Sequence, residues 1–111
     1  MNKKLRELLK SNLDNYDQID ISHPSGDKMT ETPLRVQNEY SFAGVLCDLY
    51  SKEFGEEWDI DLNSWVIFSD WGTFLNKTFS CPSEVVLWSG IPKKDIDRFN
   101  SMSFEDIKCE I

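Results

Sequence analysis

One histidine, His23, and three cysteines, Cys47, Cys81 and Cys109, set the limits of any nucleophilic chemistry in this chain. A thiol attacks as the thiolate, and forming it takes a neighbouring base or a helix dipole. Cys81 stands just ahead of Pro82 and the run SEVVLW, at the N-cap of a predicted helix, where the dipole lowers a thiol's pKa. With His23 as base, this gives one reading, a small cysteine-dependent enzyme. The other reading is that Cys81 caps or packs. Cys47 lies among Ala43, Tyr50 and Phe54, where a thiol behaves as a small buried hydrophobe. A His23–Cys47 pairing stays open, because separation along the chain does not fix separation in space. Cys109 carries no signal.

Metal ligation has one template. In DIDLNSWVIFSD, residues 59–70, the residues Asp59, Asp61 and Asn63 occupy positions 1, 3 and 5 of a calcium loop, and Asp70 position 12. Ser64 stands where the sharp turn needs glycine, and Trp65–Phe68 reads as strand, so an acidic loop entering a strand is the simpler reading. No C-x-x-C pair and no second histidine supply a zinc site. G-x-G-x-x-G, G-x-x-x-x-G-K and G-x-S-x-G are all missing, so no cofactor is expected.

Charge is the more informative property. The formal net charge is −8, and it is unevenly spread. Residues 1–10 carry four basic groups against one acid, whereas Asp48, Glu53, Glu56, Glu57, Asp59 and Asp61 face Lys52 alone. Such a segment repels phosphates and attracts basic surfaces, so a protein partner is expected and direct nucleic-acid binding is not. Trp58 lies inside the acidic stretch, where an aromatic ringed by acids is an anchor for Arg or Lys. Asp48, Glu53, Glu56, Glu57, Trp58, Asp59 and Asp61 are therefore the candidate partner-binding residues. The competing reading places Trp58, with Trp65, Trp71 and Trp88, at the edge of the core.

The elements that position these residues follow from patterning. A hydrophobic content of 40%, with 13% aromatic, is enough to fill the core of one domain spanning 1–111. No apolar run approaches the ~20 residues of a membrane span. Arg6, Glu7 and Lys10 interrupt any secretory leader, and an odd number of scattered cysteines points to reduced thiols in a cytoplasmic setting. Leu5, Leu8, Leu9 and Leu13 recur at helical spacing over 3–13. Residues 14–33, rich in Asp, Ser, Gly and Pro, read as a long surface loop. Leu34–Val36 reads as a short strand, followed by a turn at 37–39. Phe42–Phe54 is apolar around most of its circumference, with Ser41 as N-cap and Gly55 just past its end, so it is a central buried helix. Residues 64–69 and 73–79 read as a hairpin turning at Gly72. Pro82 and Pro92 each open a short helix at its first position, and Ser103 with Asp106 caps a third. The class is α+β, with the central helix on a hairpin or small antiparallel sheet and short helices at the C-terminal end.

Three stretches, PLRVQNEYSFAGVLCDLY (33–50), CPSEVVLWSGI (81–91) and RFNSMSFEDIKCEI (98–111), carry a resemblance. They are similar to a family of small uncharacterised phage and prophage proteins, whose helix begins Phe-Cys-Cys-Leu-Gly-Val-Leu-Cys-Asp. Gly44, Cys47 and Asp48 match that motif, while Ser41 and Phe42 stand where it has its Cys-Cys pair. A role resting on clustered thiols is thus not implied here. The resemblance implies a mobile-element origin, and small acidic phage proteins act stoichiometrically by occluding a basic surface of a host enzyme. The expectation is a non-enzymatic protein that binds and inhibits a host protein in the host cytoplasm. A defence nuclease such as a CRISPR effector, which an acidic face mimics nucleic acid to block, is the matching target class. A self-associating module is a third reading, but no heptad supports it.

Overall fold

Leucines at 5, 9 and 13 face one way on a helical turn, and all three are buried. They seat α1 (Lys3–Asn12) and the 3-10 turn that follows it (Leu13–Asn15) against the body of the protein. The computed structural model describes residues 3–19, 34–36, 38–60, 71–75 and 81–111, with the backbone alone at 59–60 and 71–73. The chain folds as one α+β unit.

Asp17–Gln18 forms β1, so the expected loop over 14–33 does not begin at 14; its remainder, 20–33, lies outside the described residues. The strand is held from both sides. It pairs in parallel with β3 (Glu39–Tyr40), and Ile19 N–H adds a bond to Tyr40 O at 3.0 Å. On the other side, the Gln18 side chain donates to Met102 O at 2.6 Å and accepts from Phe104 N–H at 2.9 Å. Two polar residues become a strand because partners distant in sequence satisfy them.

β2 (Arg35–Val36) and β3 make a tight antiparallel hairpin, with Arg35 opposite Tyr40 and Val36 opposite Glu39. β5 (Trp71–Thr73) lies antiparallel between β2 and β4 (Asp59–Ile60), giving a mixed sheet in the order β1-β3-β2-β5-β4. Gly72 is therefore inside a strand, opposite Arg35 on one side and Ile60 on the other. The expected turn at Gly72 is corrected: pairing on both edges fixes an extended backbone there. The proposed strand 64–69 lies outside the described residues.

α2 (Phe42–Phe54) runs through the centre, as its composition requires. Ser41 Oγ accepts from Gly44 N–H at 3.1 Å, and Asn100 Oδ1 accepts from Ala43 N–H at 2.9 Å, satisfying donors the first turn leaves open. Gly55, at φ 75°, ends the helix and donates to Ser51 O. Gly44 lies in the first turn of α2. It is buried, and a Cβ placed there would lie 1.8 Å from Leu34 O, so its lack of a side chain lets α2 lie against the sheet.

α3 (Ser83–Ser89) and α4 (Lys93–Phe99) pack on α2, with Phe42 edge-on to Phe99 at 5.0 Å, and α5 (Phe104–Glu110) packs against the 3-10 turn and closes the core. Pro82 and Pro92 stand one place earlier than expected, as caps whose carbonyls accept from Val86 and Ile96. The Ser103 cap to Asp106 N–H forms as expected, at 3.2 Å. Full burial of each of Phe42, Phe74, Leu46 and Ile107 contributes about 2 kcal/mol.

Candidate partner-binding face

Asp48 is the one acid of α2 that the core does not leave to solvent. It sits halfway along a helix that is apolar almost all round, and its side chain is only 13% exposed. A carboxylate in that position needs donors, and three converge on it. Tyr16 O–H donates to Oδ2 at 2.5 Å, Trp58 Nε1–H donates to Oδ1 at 3.1 Å, and Lys52 Nζ lies 3.4 Å from Oδ2. Around this clasp the rings of Tyr16, Tyr40, Trp58 and Phe74 follow one another in a row, T-shaped at the first two contacts and tilted at the third, with centroids 4.9, 6.0 and 5.0 Å apart. The Arg35 guanidinium lies over the rings of Tyr40 and Trp58, at 4.9 and 5.4 Å. Burial pushes the Tyr16 hydroxyl well above the ordinary tyrosine range, and its bond to Asp48 pushes it further. Tyr40 moves the same way, again through burial first and Asp48 second, against the opposing pull of Arg35. Both stay neutral donors at ordinary pH. The cluster is a structural clasp, and it turns Asp48 and the indole N–H of Trp58 inward.

The other candidate acids divide. Glu53, Glu56 and Glu57 are exposed at the C-terminal end of α2 and just beyond it, with Glu53 3.8 Å from Lys4. Asp59 belongs by its backbone to β4, opposite Thr73, and Asp61 lies outside the described residues. So do Asn63 and Asp70 of the calcium template. Among the described residues no three His, Cys, Asp or Glu side chains gather as a metal site.

The thiols do not form a catalytic pair within what is described, since His23 is outside it. Cys47 is fully buried and Cys81 is 8% exposed. Burial first, and then the neighbouring Cys81, raises the Cys47 thiol well above the usual range. Cys109 is exposed.

Residues 23–109 match a family described as Domain of unknown function (DUF8296). The chain belongs to the DUF8296 family. Comparison with curated proteins gives no match, and neither does comparison with solved structures. The matched stretch begins after α1 and β1, yet Tyr16 bonds to Asp48 and Gln18 to the start of α5, so in this DUF8296 chain the preceding residues are built into the same fold.

One feature of the face has no forerunner in the charge pattern. Phe54, in the last turn of α2, is 55% exposed, and Leu87 on α3 is 81% exposed. Patterning alone puts Phe54 beside Ala43, Cys47 and Tyr50 on a helix read as buried, and nothing in SEVVLW sets Leu87 apart from Val85 and Val86. The signal that finds Leu87 is geometric: it is two residues from the buried Val85, and residues two apart on a helix point roughly 200° apart.

Among the described residues, no helix is long and apolar enough to cross a membrane.

Proposed function

We propose that this DUF8296 protein is non-enzymatic and acts by binding, and thereby inhibiting, a host protein through a basic surface. The observation that carries the reading is the exposure of Glu53, Glu56 and Glu57 together around the negative end of α2, beside an exposed Phe54. The helix dipole adds to the negative potential at that end. The clasp at Asp48 holds Trp58, and with it the short segment that carries Glu56 and Glu57. The resemblance to phage and prophage proteins supports a host target in the host cytoplasm. An Arg/Lys-lined nucleic-acid channel, as in a defence nuclease, has the complementary chemistry. Electrostatics of this kind speeds encounter and selects partners more than it sets final affinity.

The test is affinity capture from host lysate with the parent chain and with Glu53→Lys, Glu56→Lys and Glu57→Lys combined. The captured partner should dissociate more readily as salt rises, and the triple variant should bind at least about tenfold more weakly, as reversal of rim charges does in steered complexes. Equal binding by the triple variant refutes the acidic face.

A further inference from the structure

The acidic end of α2 adjoins a strip of apolar surface. Tyr50 and Phe54 on α2 and Trp88 on α3 form a ring cluster, with centroids 4.5 Å apart for Tyr50–Phe54, 5.6 Å for Tyr50–Trp88 and 6.4 Å for Phe54–Trp88. Leu87 precedes Trp88 on α3 and, three residues after Glu84, shares that residue's exposed side of the helix. On the α1 side, Leu5, Leu8, Lys4, Glu53 and Trp88 line a dent of about 30 Å³. Leu87 and Phe54 are the large apolar residues left exposed among those described. An apolar patch of this kind rimmed by polar groups marks an interaction site.

Its rim decides the occupant. Glu53, Glu56, Glu57 and Glu84 are all exposed, and Lys4, a cation beside the dent, lies 3.8 Å from Glu53. A second copy of the chain would bring the same glutamates against these, and an anionic membrane would be repelled. A partner that covers the leucine and the rings must carry Lys or Arg on either side of its own apolar residues. Building on the reading above, we propose that this face takes an amphipathic basic helix of the partner. Its apolar stripe would lie on Phe54, Trp88 and Leu87, with its cations against the glutamates. Anchors at helical spacing are the usual way such strips are filled.

The test uses the full chain and three synthetic peptides. One is a Leu/Lys peptide with leucine at i, i+3, i+4 and i+7; the second has the same composition without a stripe; the third has Glu in place of Lys. Tryptophan fluorescence and calorimetry report binding. The striped Leu/Lys peptide should bind about tenfold more tightly than its unstriped isomer, and the Leu/Glu peptide not at all, as loss of one central anchor or of charge matching predicts. Leu87→Ser, alone and with Phe54→Ser, should reduce the striped peptide to the isomer's level while the far-UV circular dichroism stays that of the parent. Equal binding of striped and unstriped peptides, or no effect of either serine variant, overturns the helix-docking inference. The acidic reading survives that result if Glu53→Lys with Glu56→Lys and Glu57→Lys still weakens both Lys peptides; if it does not, both fall. A concentration-dependent dimer that Leu87→Ser abolishes would make a second copy the occupant and overturn the proposal.

Discussion

Gly44→Ala is the substitution that most directly probes how α2 is seated. In the folded chain a methyl group at this position would lie 1.8 Å from Leu34 O and 2.8 Å from Leu34 C, both backbone atoms, the first more than an ångström inside the closest approach that Cβ atoms tolerate. No rotamer change relieves the clash, so α2 or the start of the β2–β3 hairpin has to move. The same carbonyl accepts from Ser41 N–H at 3.1 Å and from Ser41 O–H at 3.3 Å, and Ser41 in turn caps the helix, so movement also disturbs the cap. Overpacking against backbone costs about 3 kcal/mol and the disturbed hydrogen bonding about 1 kcal/mol. The better helix propensity of alanine returns about 1 kcal/mol. The net loss is about 3 kcal/mol, a large fraction of the ~5–15 kcal/mol that stabilises a domain. With an unfolding entropy of about 2.1 cal/mol/K per residue over 111 residues, this lowers Tm by roughly 13 °C. Urea unfolding followed by tryptophan fluorescence, together with a thermal circular dichroism melt, reads both quantities, and the m-value should not change. Gly55→Ala is the control. At φ 75° with nothing within 4 Å of the added methyl, it carries only left-handed strain, about 1 kcal/mol and roughly 4 °C. A Gly44→Ala chain as stable as the parent, or losing no more than Gly55→Ala, refutes the claim that Leu34 and Gly44 are in backbone contact.

Two further predictions concern the clasp and the thiols. Asp48→Ala leaves the Trp58 N–H and the Tyr16 hydroxyl without their acceptor and should cost about 2–3 kcal/mol in urea unfolding, with a shift in tryptophan emission; a change under 0.5 kcal/mol would mean the clasp is ornamental to stability, as most exposed substitutions are. Because the Tyr16 and Tyr40 hydroxyls are raised in the folded chain, their contribution is complete below the ordinary tyrosine value of about 10 and is lost as pH climbs above it, where the unfolded chain releases those protons first. Tyr16→Phe should flatten that alkaline loss, read from the unfolding midpoint against pH beside the tyrosinate absorbance. Among the thiols, Cys109 should react with a maleimide at the rate of a free thiol, while Cys47 and Cys81 stay protected until the chain unfolds. Labelling of Cys81 in the folded chain as fast as Cys109 would restore the case for a cysteine enzyme.

How far the sequence alone reaches depends on whether the deciding signal is local. Both ends of α2 are legible because Ser41 and Gly55 announce them within a residue, and its burial because almost every side between them is apolar. Ser103 and Asp106 are legible for the same reason. β1 is not. Asp17 and Gln18 have no strand character, and become a strand only because Glu39–Tyr40 and the Met102–Phe104 connection supply partners from far along the chain. Gly72 misleads because glycine is a strong local turn signal, while its real conformation is set by β2 and β4 on either side. Asp48 looks like one more surface charge in an acidic run. That it is the shared acceptor of a hydrogen-bonded triad with Tyr16, 32 residues before it, and Trp58, ten after it, is a fact of tertiary packing.

This division changes what the acidic segment can do. A run of six acids over 48–61 suggests one continuous charged surface, but a carboxylate that already holds a tyrosine, an indole and a lysine has little left to give a partner. Asp48 instead acts at one remove. By fixing Trp58 it anchors the far end of the short connection from Gly55, and Glu56 and Glu57 stand on that connection between two fixed points, the end of α2 and the indole. Ordering those residues before a partner arrives spares part of the conformational entropy that binding would otherwise cost, roughly 0.5–1.5 kcal/mol for each side chain immobilised. On the proposed reading, the recognition surface shifts from the run of acids as a whole to its middle, where Glu53, Glu56 and Glu57 are exposed on either side of Phe54 in the chain. On that reading, charge would set which partners approach, and the exposed apolar side chains would set which of them stay.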